Sequence, residues 1–187
     1  MNKIFKSVAL ATALIIALLP SQVFAANQTE SVSVVVAPTT TFSVAPITPI
    51  TLNVDPAVNT NQSAPITLNV ATNASSYSVT VQESAQPIST SGSTLGYLSG
   101  SAGQASFITP GGSNLGFGYT MSGTGVPAGF ASGTKYASFN TSPDVIMSGN
   151  AATNGDSSTM DVADYVDYTT QAGTYSTTLT FVITPTY

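Results

Sequence analysis

Apolar residues recur at every second position of this chain, in one short run after another. Val32, Val34 and Val36 alternate with polar or small neighbours, and Phe42 and Val44 follow. Ile50, Leu52 and Val54 alternate with Thr51 and Asn53; Ile66, Leu68 and Val70 alternate with Thr67 and Asn69. Tyr77, Val79 and Val81 continue the pattern, and Tyr175, Thr177, Leu179, Phe181 and Ile183 close it. A period of two places one set of side chains on each face of an extended strand. Val, Thr and Ile favour that geometry through their stiff χ1 angles. Past the first 25 residues no segment keeps a helical period for more than about two turns. Turn residues punctuate the runs at Asp55-Pro56, Ser142-Pro143-Asp144, Asn154-Gly155-Asp156 and Ala172-Gly173. The expectation is an all-β fold: an antiparallel β-sandwich, immunoglobulin-like or jelly-roll, with no significant helix after the leader.

The leader is residues 1–25. Lys3 and Lys6 make a positive start, Val8–Leu19 is apolar, and Pro20 ends the run. Val23 and Ala25 supply small residues at −3 and −1, which places cleavage after Ala25. The apolar run is too short to span a ~30 Å hydrocarbon core comfortably. No later stretch is apolar enough to cross a membrane, so we expect a secreted, extracellular or cell-surface protein with no membrane span after cleavage. The rest divides into an N-terminal strand, 26–37, and a single sandwich domain, 38–187. Within that domain 84–158 reads as loop-rich, mixing Gly, Ser and aromatics.

Residues 26–187 hold eight acids (Glu30, Asp55, Glu83, Asp144, Asp156, Asp161, Asp164, Asp167) and one base, Lys135, a formal charge of −7. Without a basic patch the chain cannot release counterions from nucleic acid, so no nucleic-acid partner is expected. Hydrophobic residues reach 42% against 6% charged, which favours a folded chain over disorder. The chain has no Cys, so no disulfide supports the fold. With so few charges, little repulsion opposes self-association.

Catalysis finds few materials. No His exists to activate the many Ser and Thr hydroxyls, and zinc lacks its usual His and Cys ligands. Glu83 and Asp144 could pair as glycosidase carboxylates, but nothing in the sequence singles them out. The run Asp156, Asp161, Asp164, Asp167 lacks the spacing of a calcium loop and reads as a solvated edge or turn. We therefore expect no enzyme, no cofactor and no metal. Phe107, Phe117, Tyr119, Phe130, Tyr136 and Phe139 could stack on sugars, although core filling is the plainer role. Four sequons, at Asn27, Asn61, Asn73 and Asn140, can accept glycans where the machinery exists.

Pro49-Ile50-Thr51-Leu52-Asn53-Val54 recurs sixteen residues later as Pro65-Ile66-Thr67-Leu68-Asn69-Val70. The simpler expectation is two similar strands of one sheet. The sharper one is that the copies compete for one groove.

The stretch Ile66–Val81 resembles a strand-turn-strand of exported immunoglobulin-like domains in prokaryotic surface proteins. Gln171–Pro185 resembles their last hairpin: a turn at Ala172-Gly173, then a closing strand led by Tyr175 and running to an aromatic end. The same ending is similar to pilin subunits of the spore-coat-U and chaperone–usher type. The resemblance implies a filament subunit that polymerises head to tail with itself, an N-terminal strand of one subunit completing the sandwich of the next. Val32, Val34 and Val36 are the matching donor-strand residues here. Pro38 and Thr39-Thr40-Thr41 follow them as a spacer, so the segment can leave its own sheet and add to a neighbour's edge. The alternative is a monomeric secreted adhesin or carbohydrate-binding module that uses the loops of 84–158 and takes cell-surface glycans as partners.

Overall fold

The computed structural model describes residues 31–57, 61–98 and 115–187. Residues 31–36 and 37–187 form separate units. Among the described residues nine strands lie in the second: β1 Thr40–Ala45, β2 Asn61–Thr72, β3 Ser76–Glu83, β4 Ile88–Ser89, β5 Gly116–Gly123, β6 Asp144–Gly149, β7 Thr153–Tyr165, β8 Tyr175–Ser176 and β9 Leu179–Thr186. Apart from one 3₁₀ turn, Ala128–Gly133, the described elements are strands, as the alternation predicts.

Two antiparallel sheets, ordered β1-β2-β7-β5 and β6-β3-β9, enclose the core, and β4 pairs with β8 beside them. The inward rows interdigitate as a sandwich requires. Ile66, Leu68 and Val70 of β2 and Met160 and Val162 of β7 come from one sheet. Tyr77, Val79 and Val81 of β3 and Ile146 and Met147 of β6 come from the other. Burying one such aliphatic side chain contributes about 1.5–3 kcal/mol, so these rows hold the two sheets together. Tyr119, Phe130 and Phe139 are fully buried and packed on one another, with ring centroids 5.4 Å and 4.5 Å from Tyr119. These aromatics fill the core, as expected, and are closed to sugars. Phe107 lies outside the described residues.

Three stretches bear comparison with their expected form, and for the hexapeptide repeat the expectation needs correction. Residues 31–37 form no strand; they carry no ladder, and Val32, Val34 and Val36 are 84%, 81% and 75% exposed. The two hexapeptide copies are not two strands of one sheet: 65–70 is central in β2, whereas 49–54 joins no ladder. The loop-rich stretch 84–158 contains strands as well, namely β4, β5, β6 and the first six residues of β7. Gly118 shows why β5 was hidden. A Cβ there would stand 2.6 Å from the Ala137 carbonyl oxygen and 2.8 Å from the Leu98 side chain, so close packing demands the weakest strand former.

Candidate functional site

Among the described residues β1 pairs with β2 alone and β9 pairs with β3 alone. Each is thus the edge of its sheet and leaves a row of backbone donors and acceptors without a ladder partner. Their inward side chains tell the same story. Phe42 and Val44 of β1 and Leu179, Phe181 and Ile183 of β9 pack against the core yet stay half-buried. The central strands β2 and β3 bury their equivalent rows.

Contacts tie both ends of the chain from 40 to 54 to the surroundings of β9. At one end the Thr40 hydroxyl meets the Tyr187 hydroxyl at 2.7 Å, just past the end of β9. At the other, Val54 and Pro56 share a cavity of about 210 Å³ with Gln171–Gly173 and Tyr175, just ahead of β9. Between these ends the inward residues Ile50 and Leu52 are also half-buried against the core. The two edges thus each present a set of half-buried apolar residues, Phe42, Val44, Ile50 and Leu52 in one and Leu179, Phe181 and Ile183 in the other, together called the seam below.

The turn between β2 and β3 secures the upper end of the seam. Ser75 donates through both its backbone N–H and its hydroxyl to the Thr186 carbonyl, each at 2.8 Å. Thr40 and Thr72 share a 2.6 Å hydroxyl contact. Asn73, read from the sequence as a glycan acceptor, spends its side-chain amide on the chain just before β1. Its Nδ2 donates to the Ala37 carbonyl at 2.7 Å, and its Oδ1 accepts from the Thr39 N–H at 2.8 Å. Of the other sequons, Asn140 accepts from the Ser142 N–H at 3.1 Å, Asn61 starts β2, and Asn27 lies outside the described residues.

The opposite end of the sandwich holds buried carboxyls. Glu83 ends β3 with 1% exposure and accepts a hydrogen bond from the Tyr97 hydroxyl, while its Oε2 has no protein partner. Asp164 of β7 lines the 210 Å³ cavity at 6% exposure, and its Oδ1 is likewise unpaired. Burial pushes the Asp164 carboxyl up to about 6, against a hydrogen bond from the Tyr165 backbone. Burial also raises Glu83, against the Tyr97 bond, and Asp144. The sequence offered Glu83 and Asp144 as a pair; the register puts Asp144 opposite Val81, on the same side of β3 as Glu83. The acidic run does not gather: Asp156 accepts from the Tyr77 hydroxyl at 2.5 Å, Asp164 faces the cavity, and Asp167 caps a turn through the Thr169 N–H at 2.8 Å. Among the described residues no three acidic groups are grouped to hold a metal ion.

No protein-family model and no curated protein matches the chain. Among solved structures, it is similar to a chain from work on a chaperone–tip adhesin complex and the synergistic activation of CFA/I fimbriae biogenesis. The TM-score is 0.38 at 13% identity, over 78% of this chain and 42% of that one. The present chain thus spans less than half the length of that neighbour. Among the described residues no helix is long and apolar enough to cross a membrane.

Proposed function

We propose that this protein is an exported, non-enzymatic structural subunit of a cell-surface filament, and that copies join when residues 31–36 of one enter the seam of the next. One observation carries the reading. The chain holds an unpaired stretch with Val32, Val34 and Val36 exposed, and a sandwich with two unpaired edges that each present half-buried apolar residues. A strand added at such an edge gains main-chain hydrogen bonds, and its alternate side chains cover those apolar residues. Because donor and acceptor are different surfaces, the contact is head to tail and propagates.

The test is polymerisation of the mature protein from its native source, read by negative-stain electron microscopy and size-exclusion chromatography. Deleting 31–36 should abolish polymers and leave a folded monomer. Val34→Asp should do the same, because it puts a charge into the apolar seam. Val34 is 81% exposed, so the domain's own stability should move by no more than about 0.5 kcal/mol. A monodisperse monomer from the unmodified protein would overturn the reading.

A further inference from the structure

A chain that carries both a donor segment and an acceptor seam faces a competing reaction, closure on itself. The segment would fold back as a hairpin onto β1 and cover its own seam. Residues 34–36 would then pair with the start of β1, and Ala37-Pro38-Thr39 would form the loop. Three residues suffice for a β-hairpin, so chain length does not prevent it. Closure within one chain also avoids the entropy lost on joining two molecules.

The backbone of that loop is already engaged. The Ala37 carbonyl accepts from Asn73 Nδ2 at 2.7 Å, and the Thr39 N–H donates to Asn73 Oδ1 at 2.8 Å. The Thr39 carbonyl accepts from the Asn73 N–H at 3.1 Å and from the Thr72 hydroxyl at 3.2 Å. Pro38 has no N–H to offer. Together these bonds carry the course of β1 upward past Thr72, its first register partner. A reversal at 37–39 turns the backbone on both sides of Pro38, where these bonds hold it, and so competes with them.

We propose that Asn73 is a positioning residue that keeps the donor segment from capping its own seam, so that the seam stays open to a second copy of the chain. The inference rests on the filament reading and adds to it the device that makes the exchange intermolecular. An Asn suits the task because it offers a donor and an acceptor from one planar group. An ionised Asp lacks the donor, and a Ser hydroxyl must serve both from one atom on a shorter side chain.

The experiment compares polymerisation of the mature chain, Asn73→Ala and Asn73→Asp across a dilution series, by size-exclusion chromatography and SDS resistance. Loss of two hydrogen bonds of ordinary net strength corresponds to about a 30-fold rise in the ratio of self-capped monomer to open chain. Asn73→Ala should therefore give an SDS-resistant monomer fraction that does not depend on concentration. Asn73→Asp keeps the acceptor for Thr39 and should fall between; it also decides the matter if Asn73→Ala does not fold. Equal polymerisation of all three proteins would overturn the role of Asn73 and leave the filament reading intact. Failure of the unmodified chain to polymerise at any concentration would overturn the filament reading itself, and this inference with it.

Discussion

Residues 49–54 and 65–70 are the same six residues in the same order, and the fold treats them differently. In β2 the sequence is flanked by β1 and β7: Leu68 stands opposite both Val44 and Ser158, and Val70 opposite both Phe42 and Asp156. Ile66, Leu68 and Val70 are 4%, 0% and 0% exposed there. In the first copy Ile50 and Leu52 touch the core, Val54 lines a cavity, and all three remain half-buried and join no ladder. Local propensity is identical, so position alone separates them. Strand character here is a property of available neighbours. The first copy follows the edge strand β1, where no ladder receives it.

The sharpest way to break that comparison is to place proline at equivalent positions. Thr67→Pro removes a ladder donor from a central strand and should cost at least about 3 kcal/mol, enough to unfold a marginal domain. Thr51→Pro removes an N–H that serves no strand and should cost under about 1 kcal/mol. Urea midpoints decide between them. Equal losses would show that 49–54 is held as firmly as β2.

Truncating the twin leucines should give a smaller gap. Leu68→Ala opens a cavity in the fully enclosed core, and about 3–4 kcal/mol is the expected cost. Leu52→Ala empties a site already half open to solvent, where the surroundings can close and water can enter. About 1–1.5 kcal/mol is expected there. A gap below about 1 kcal/mol would mean that the seam is packed more tightly than its exposure shows.

What the sequence revealed follows the range of the interactions. Alternation is local, so β1, β3 and β9 were readable, and so were both apolar rows of the seam. Pairing is long-range. Nothing in Leu179–Ile183 says that β9 has a neighbour on one side only. β7 was concealed by its polar content. Asn154-Gly155-Asp156 reads as a turn, yet Asp156 is held inside the strand region by the Tyr77 and Thr153 hydroxyls. Asp164 reads as solvated and is instead enclosed at the mouth of a cavity. Asn73 carried a signal for a different role, because a sequon says nothing of a contact with Ala37, 36 positions earlier in the sequence.

The smallest effect sought is a pH dependence that reaches the two copies unequally. Asp164 has a folded pKa of about 6, above the ordinary carboxyl range near 3.9, so the folded state binds its proton more tightly than the unfolded chain does. Its contribution is complete below about pH 4 and is lost as the pH rises through 6. Glu83 and Asp144, also raised by burial, act in the same direction. Asp167 is lowered by its bonds to Thr169 and acts oppositely, but it lies in a solvent-exposed turn where screening is strong. The domain should therefore be more stable at pH 4.5 than at pH 8, by about 1–2 kcal/mol at Asp164 once solvent access to the cavity is allowed for. Asp164→Asn should flatten that slope. Val54, at the end of the first copy, lines the same cavity as Asp164, whereas the second copy ends at Val70 beside Asp156. Ionising Asp164 thus charges a cavity that Val54 of the first copy lines and no residue of the second copy does. Amide exchange, corrected for its intrinsic pH dependence, should speed up at 52–54 by several-fold between pH 5 and 8, with 66–70 changing only as the whole domain does. Parallel acceleration of both copies would mean that the seam and the central strand open as one unit, and the distinction between them would be one of exposure alone.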